Sequence, residues 1–315
     1  MTMSKRPLSQ TELLHELEPV VASELDRHLK MAKDWFPHEY VPWSEGRDYD
    51  GVLGGDAWSP EDSKLPEAAK VSLIVNLLTE DNLPSYHYEI ATTFGRDGAW
   101  GTWVHRWTAE EDRHSMVLRD YLTVTRAVDP VALERARMTH MSNGFATPYA
   151  TMLQQIAYVS FQELATRIAH RNTGRVAGDP ICEQMMARIA ADENLHMLFY
   201  RNLLGAAFDL DPDQTMRAIT DVVTTFQMPG TGIEGFSRKA MIIAHEGIYD
   251  LRLHLDDVLR PVLRQWSVFD RGGLSAEGEK AREELAAFLD KLEVTASRFV
   301  ERREARRAAQ AAKSA

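Results

Sequence analysis

Two short segments of the chain repeat each other and carry residue types that bind metals. EEDRH and DENLH each place a glutamate three residues before a histidine, Glu111 with His114 and Glu193 with His196. Residues three apart on an α-helix lie on one face, so each pair can direct a carboxylate and an imidazole at the same point. Each segment is therefore half of a candidate metal site.

A single glutamate precedes each pair at nearly the same distance. Glu80 lies about 30 residues before Glu111, and Glu163 lies about 30 residues before Glu193. Two helical hairpins of this kind would bring four carboxylates and two imidazoles together in the core of a four-helix bundle, which is the pattern of di-iron and di-manganese carboxylate proteins. The absence of thiolates from this set favours iron or manganese.

The same spacing could instead belong to an exposed helix face, where glutamate and histidine are common. The neighbours of the upstream glutamates argue against this, because Leu77 and Leu83 share the helical face of Glu80, and Ile156 shares that of Glu163. A carboxylate on an apolar face needs a partner, since burying an unpaired charge is costly. One pair of metal ions would serve all four carboxylates, so we predict a buried two-metal centre.

Composition limits the classes of protein that the chain can represent. The 315 residues include one cysteine, Cys182, and carry a formal net charge of −11. A single cysteine excludes an internal disulfide and suits a reducing cytoplasm, where we expect this protein. The acidic balance argues against nucleic-acid binding. We predict no membrane span and no secretory signal, because neither a long apolar run nor an apolar leader is present.

Helical periodicity predicts a single all-α domain over residues 1–315, with no alternating strand pattern. Ser9 and Glu12 form a capping box at the start of the first helix. Pro84 should distort the helix that carries Glu80, and Trp100 and Trp103 should pack in the core. The predicted segments are a connection at 36–66 packed against the bundle, ligand helices at about 67–94, 99–126, 148–172 and 180–205, a metal-binding core at about 67–205, and a basic tail at about 301–315 that is a frayed helix or disordered.

Five segments resemble the soluble acyl-acyl-carrier-protein desaturase family, best known from plant stearoyl desaturases. They are TEDNLPSY, WTAEEDRH, SFQELATRIAHRNTGR, IAADENLH and GLSAEGEKA, and the likeness covers most of the chain. The resemblance implies a ferritin-like helical bundle that assembles as a homodimer. It also implies a di-iron centre of two Fe ions whose ligands are Glu80, Glu111, His114, Glu163, Glu193 and His196.

The family reaction removes two hydrogens from adjacent methylenes of a saturated fatty acyl chain carried on acyl carrier protein. O₂ is the oxidant, reduced ferredoxin supplies electrons, and the product has a cis double bond. The resemblance gives Thr166 a part in proton delivery, against an ordinary helix-interior threonine bonded to a carbonyl. It places Asp192 and Trp35 on an electron-entry route towards His196, with core packing as the alternative for Trp35.

Residues around the ligands allow further expectations. The ring nitrogens of His114 and His196 that face away from the metals should donate to acceptors, for which Asp192 is a candidate, while Glu110 is either another acceptor or solvated. Because acyl carrier protein is acidic, docking needs positive charge. Our hypothesis for part of this surface, with a solvated helix face as the alternative, is a basic patch of Arg27, His28, Lys30 and Lys33.

The sequence departs from the plant members in the helix that borders the acyl tunnel of the family. Asp81 replaces a second glutamate, and His87 and Glu89 lie further along. If His87 or Glu89 faces the tunnel, the depth or shape of the pocket differs.

Two other functions remain open at this point: a di-iron acyl hydroxylase or N-oxygenase, and a ferritin-like iron-binding protein without catalysis.

Overall fold

The computed structural model describes residues 6–314, and this part of the chain is helical with no β-strand. The predicted all-α class is therefore confirmed. The helices are α1 (Gln10–Met31), α2 (Glu67–Asp81), α3 (Leu83–Phe94), α4 (Gly98–Val124), α5 (Pro130–Asn143), α6 (Met152–Ala177), α7 (Pro180–Leu210), α8 (Pro212–Thr225), α9 (Phe236–Glu246), α10 (Leu251–Leu253), a π-helical segment (His254–Leu259), α11 (Arg260–Gln265) and α12 (Ala276–Ser314).

Helices α2, α4, α6 and α7 form the bundle that positions the candidate site, and α1 packs across α4 and α7. Helix α1 begins at the predicted capping box: Glu12 N donates to Ser9 Oγ at 3.3 Å, and Ser9 N donates to the Glu12 carboxylate at 2.8 Å. Pro19 lies inside α1 without ending it. Among residues 6–314, no helix has both the length and the apolar character needed to cross a bilayer.

The predicted helix over 67–94 is two helices, α2 and α3, which meet at Asn82. Pro84 explains the break, because it lacks a backbone N–H and its ring clashes with the carbonyl four residues earlier. That carbonyl belongs to Glu80. The break therefore places Glu80 in the last turn of α2, where the bundle helix ends.

Apolar packing holds α4 against α7 beside the site. The rings of Trp103 and Phe199 stack with centroids 3.5 Å apart, and Trp103 Nε1 donates to the hydroxyl of Tyr200 at 3.0 Å. Trp103 is fully buried and Trp100 is 3% exposed, so the predicted core roles of both tryptophans are confirmed. Face-to-face contact of two large rings fixes the rotation of the two helices relative to each other.

The connection at 36–66 packs against the C-terminal end of α4, as predicted. The Tyr49 hydroxyl donates to the Thr123 carbonyl at 2.7 Å, and Trp58 Nε1 donates to the Arg126 carbonyl at 3.0 Å. Arg126 is buried and pairs with Asp62 at 2.9 Å. At the other end of the chain, the basic tail continues α12 to Ser314.

Candidate metal centre

The structure brings all six residues predicted as ligands together inside the bundle. The two Glu-x-x-His pairs lie on α4 and α7, and the single glutamates lie on α2 and α6, so each of the four helices contributes. None of the six is more than 7% exposed. They are Glu80, Glu111, His114, Glu163, Glu193 and His196.

These side chains form two overlapping clusters. Glu80 and His114 belong to one cluster, Glu163 and His196 belong to the other, and Glu111 and Glu193 belong to both. Within each cluster, one potential ligand atom from every residue lies within 4.8 Å of the others. The arrangement offers two adjacent four-ligand positions that share two carboxylates.

The polar atoms of the centre fit a pair of cations. Buried polar atoms are normally hydrogen-bonded, yet Glu111 Oε1, His114 Nδ1, Glu163 Oε2 and His196 Nδ1 are buried without a hydrogen bond. Burial and the neighbouring charge of Glu193 raise the pKa of both the Glu111 and Glu163 carboxyls. Divalent cations would favour the ionised carboxylates and would accept lone pairs from all four of these atoms.

Asp192 lies behind His114. Its Oδ2 is 3.5 Å from His114 Nε2 and accepts a hydrogen bond of 2.7 Å from Trp35 Nε1. Burial would raise the pKa of Asp192, but the interactions with His114, His196 and Trp35 together outweigh burial and hold the pKa at about 2. The Asp192 carboxylate reaches across from α7 to α4 and contacts His114, one of the two histidines for which the sequence made it a candidate acceptor. The contacts of Trp35 and Asp192 therefore lead to His114 and not to His196.

Glu110 lies behind His196. Glu110 Oε2 is 2.9 Å from His196 Nε2 and 2.9 Å from His28 Nε2, and its other oxygen accepts from Arg106 Nε at 2.5 Å. Burial would raise the pKa of Glu110, but the hydrogen bonds from His196 and His28 hold it below its usual range. Glu110 is 3% exposed, so it is an acceptor and not a solvated side chain.

His28 does not belong to a surface patch, and this part of the prediction was wrong. It is fully buried because it continues the apolar face of α1 that includes Val21 and Leu25. Lys30 and Lys33 are exposed, as the hypothesis requires, whereas Arg27 is partly buried and pairs with Glu24 at 2.6 Å.

One histidine of the centre was not predicted. His170 Nε2 lies 3.3 Å from Glu80 Oε1 and 3.3 Å from Glu193 Oε1, and its ring is buried. It follows Glu163 by two helical turns on α6 and therefore shares its face. Helical spacing could have found it, and the repeat gave the same signal, because His87 follows Glu80 by the same seven residues. The break between α2 and α3 separates His87 from Glu80, so the structure uses only the second histidine of this pair.

A mainly apolar cavity is lined by carboxylates of the centre and by residues of α3. Thr166 lies on its wall, and its hydroxyl donates to the carbonyls of Glu163 at 3.0 Å and Gln162 at 3.1 Å. A second cavity, beside α9, shares wall residues Thr79, Thr166 and Pro229 with the first. The two cavities therefore adjoin each other at these residues.

Comparison with known proteins identifies the family. A model of the fatty acid desaturase family matches residues 9–315. The chain belongs to this family. The predicted recognition is thereby confirmed, and the buried glutamates and histidines that could hold metal ions are those of a fatty acid desaturase.

Named relatives cover most of the chain. DesA1 of Mycobacterium tuberculosis, which bears the name of an acyl-[acyl-carrier-protein] desaturase, is 52% identical over 93% of this chain and 88% of its own length. Stearoyl-[acyl-carrier-protein] 9-desaturase 2 of Oryza sativa is 31% identical over 89% of this chain and 74% of its own length. The X-ray structure of DesA2 from Mycobacterium tuberculosis superposes with a TM-score of 0.67, at 32% identity, over 81% of this chain and 98% of that one.

Proposed function

We propose that this protein is an O₂-dependent desaturase that introduces a cis double bond into a saturated fatty acyl chain carried on acyl carrier protein. The observation that carries the proposal is the pair of overlapping ligand clusters, three of whose carboxylates line a mainly apolar cavity. The family match and the names of DesA1 and the rice enzyme support the acyl carrier protein as the substrate carrier.

We propose two iron ions as the cofactor, held by the six predicted residues. Carboxylate and imidazole ligands suit iron, and the uncompensated polar atoms of the centre support this choice. When bound as ferrous ions, the pair would supply electrons to O₂ and so provide an oxidant able to break an unactivated C–H bond. The proposed ligands are Glu80, Glu111, His114, Glu163, Glu193 and His196.

The protein's own residues would position the reactants and exclude water. Trp107 Nε1 donates to Glu163 Oε1 at 3.2 Å and so orients this carboxylate beside the cavity. We propose that the Thr166 hydroxyl, on the same wall, passes a proton towards the centre. Because the wall between these groups is apolar, an alkyl segment would displace water and gain free energy by burial.

Electrons would enter from reduced ferredoxin along Trp35, Asp192 and His114. These three residues form a continuous chain of contacts from Trp35, directly before the 36–66 connection, to the centre. Assembly as a homodimer and a location in the cytoplasm are further parts of the proposal. They rest on the family resemblance and on the single, buried Cys182, which forms no disulfide.

For acyl carrier protein, we propose that docking uses the exposed end of α1 and the residues that follow it. Lys30 and Lys33 supply positive charge for an acidic partner. Leu29, Met31 and Phe36 beside them are 47%, 59% and 53% exposed. Apolar groups interspersed with lysines are suited to an amphipathic acidic surface.

Product analysis tests the reaction. The iron-loaded protein is incubated with saturated acyl carrier proteins, ferredoxin, its reductase and O₂, and the acyl products are examined by mass spectrometry. We expect a product lighter by two hydrogens. A product heavier by one oxygen atom would identify a hydroxylase, and iron binding without any product would contradict the proposed substrate class.

A further inference from the structure

Glu110 and Asp192 occupy equivalent places in the two halves of the internal repeat. Each immediately precedes a ligand glutamate in the sequence. Each also lies behind a ligand histidine, Glu110 at 2.9 Å from His196 Nε2 and Asp192 at 3.5 Å from His114 Nε2. Carboxylates in this place fix the tautomer and the orientation of a ligating imidazole. Each of the two ligand histidines is therefore supported by one buried carboxylate.

A ring N–H from the same short segment, residues 28–35, reaches each of these two carboxylates. Trp35 Nε1 donates to Asp192 Oδ2 at 2.7 Å, and His28 Nε2 lies 2.9 Å from Glu110 Oε2. The segment contains the last turn of α1 and the residues directly after it, and it lies outside the repeat. One segment thus contacts the supporting carboxylates of both halves of the centre.

The His28 ring has a fixed position. It is fully buried, stacks on the His196 ring with centroids 5.8 Å apart, and meets the Trp103 ring edge-on at 5.1 Å. An ionised carboxylate can only accept, so His28 donates from Nε2 to Glu110. Its Nδ1 is buried without a hydrogen bond. Within residues 6–314, Glu110 is therefore the one hydrogen-bond partner of this ring.

Glu110 Oε2 lies between two imidazoles, and this decides the orientation of His196. Nε2 of His28 and Nε2 of His196 are both 2.9 Å from this oxygen. With its proton on Nε2, His196 directs the lone pair of Nδ1 at the ligand cluster, where Glu111 Oε1 is 2.8 Å away. Without the His28 N–H, the Glu110 side chain could turn towards the guanidinium of Arg106, which already donates to its other oxygen.

A cation is the other possible occupant of this triad, because one potential ligand atom each of His28, Glu110 and His196 lies within 4.8 Å of the others. The two contacts of 2.9 Å argue against it, since this is the usual length of an N–H to oxygen hydrogen bond. These hydrogen bonds satisfy the facing atoms of the triad. The atoms directed at the metal centre, such as Glu111 Oε1 and His196 Nδ1, have none.

We propose that His28 is a positioning residue for the metal centre: it holds Glu110, and through Glu110 it fixes the His196 imidazole in the orientation that binds iron. His28 is then the counterpart of Trp35, which contacts the carboxylate behind the other ligand histidine. The inference rests on the proposed iron cofactor, because it assigns a role in the binding of that metal.

The test compares His28→Leu, which removes the N–H and keeps a buried side chain of comparable size, with His28→Gln, which can offer an amide N–H to the same oxygen. Ferrous iron is titrated into the metal-free proteins, and the loaded proteins are examined by Mössbauer spectroscopy. His28→Leu should weaken binding of one of the two irons by about tenfold or more and alter the spectrum of that iron. His28→Gln should keep most of the wild-type affinity and the wild-type spectrum.

Glu110→Gln provides the second arm of the test. It should itself weaken the same iron, and adding His28→Leu to it should cause little further loss, because His28 acts through Glu110. His140→Leu is the matched control. His140 on α5 is also buried without a hydrogen bond at either ring nitrogen, and it belongs to neither ligand cluster. This variant should bind iron as the wild type does.

Three results would overturn the proposal: two irons bound by His28→Leu as tightly as by the wild type, an equal loss from His28→Leu with and without Glu110→Gln, or a loss in His28→Gln as large as that in His28→Leu. If His28→Leu loses helical circular dichroism, the comparison of His28→Gln with Glu110→Gln decides, because only the latter should weaken iron binding. A third iron bound by the wild type would assign the triad to a metal instead. Failure of the wild type to bind any iron would contradict the proposed function.

Discussion

Trp35 and His114 contact the same oxygen of Asp192, Trp35 through a 2.7 Å hydrogen bond and His114 across 3.5 Å. Arg113 also reaches this oxygen, at 3.3 Å. The carboxylate therefore fixes the His114 ring with Nε2 towards Asp192 and Nδ1 towards the other ligands. Groups that orient a ligating imidazole in this way commonly raise metal affinity by 10- to 100-fold.

Asp192→Asn should accordingly lower metal affinity by about 10- to 100-fold, because the amide is a weaker acceptor for the imidazole N–H. Titration with ferrous iron, followed by absorbance, measures this. Asp112→Asn is the control, since Asp112 is exposed on α4 beside the ligand Glu111. Equal iron affinity in the wild type and Asp192→Asn would contradict the orienting role.

Removal of Glu111, which belongs to both ligand clusters, or of His196, which belongs to one of them, should abolish iron binding without unfolding the bundle. We expect Glu111→Ala and His196→Ala to lose the iron absorbance and to keep nearly all helical circular dichroism. Added ferrous iron should raise the melting temperature of the wild type, because it binds only the native state, and should not raise that of either variant. Glu183→Ala, an exposed change on α7, should behave as wild type. Retention of two irons in both variants would reject the ligand assignment.

Thr166→Val should reduce turnover by at least tenfold while leaving iron binding intact, because it keeps the shape of the cavity wall and removes the hydroxyl. Thr166→Ser should restore most of the activity. The measurement is turnover with a saturating acyl carrier protein, together with iron content. If valine is as active as threonine, the hydroxyl has only the helix-bonding role that its contacts with Gln162 and Glu163 provide.

Reversal of charge at Lys30 and Lys33 should weaken binding of acyl carrier protein and reduce the dependence of affinity on salt. Lys280→Glu combined with Lys291→Glu, at two exposed positions of α12, makes the same change in net charge and is the control. The affinity of acyl carrier protein for the immobilised protein is measured at several salt concentrations. The comparison with the control separates the effect of these two lysines from the effect of net charge. Unchanged affinity in the double variant would place the docking surface elsewhere.

His254 should make the protein less stable in mild acid. Burial lowers its pKa from the ordinary 6.5 to about 4, and Nδ1 lies 2.7 Å from the Tyr249 hydroxyl. Between these two values the unfolded chain binds a proton that the native state does not, so stability falls as the pH drops from 6.5 towards 4. The expected loss between pH 7 and pH 5 is about 2 kcal/mol.

His254→Gln should remove this part of the pH dependence, although the variant starts from a lower stability at pH 7. Urea denaturation at the two pH values measures the difference. His105→Gln, an exposed change on α4, should keep the wild-type profile. Parallel profiles for wild type and His254→Gln would show that His254 is not the titrating group.

The sequence predicted what depends on periodicity within one helix. Glu111 and His114 share a face because they are three residues apart, and the internal repeat extended this argument to the second pair and to the upstream glutamates. Contacts between helices were not accessible in the same way. The pairing of Asp192 with His114, and of Glu110 with His28, depends on the rotation of packed helices, which no local spacing specifies.

Local rules were incomplete where two of them competed. The sequence predicted one helix over 67–94 that Pro84 distorts, but the missing N–H and the clash with the Glu80 carbonyl divide it into two helices. For His28, its position between Arg27 and Lys30 suggested a basic surface, whereas the apolar face of the helix determined its burial. Side chains of mixed character can follow either pattern, and tertiary packing decides.

The division of the centre among distant helices affects the order in which the chain folds during synthesis. Glu80 and Glu111 leave the ribosome well before Glu163, and His196 emerges last. Until then His114 is the one imidazole of the six that can pair with the early carboxylates, and burial of a carboxylate without a partner is costly. We therefore expect the N-terminal half to leave its core open until α7 has emerged, and the bundle to form as a unit.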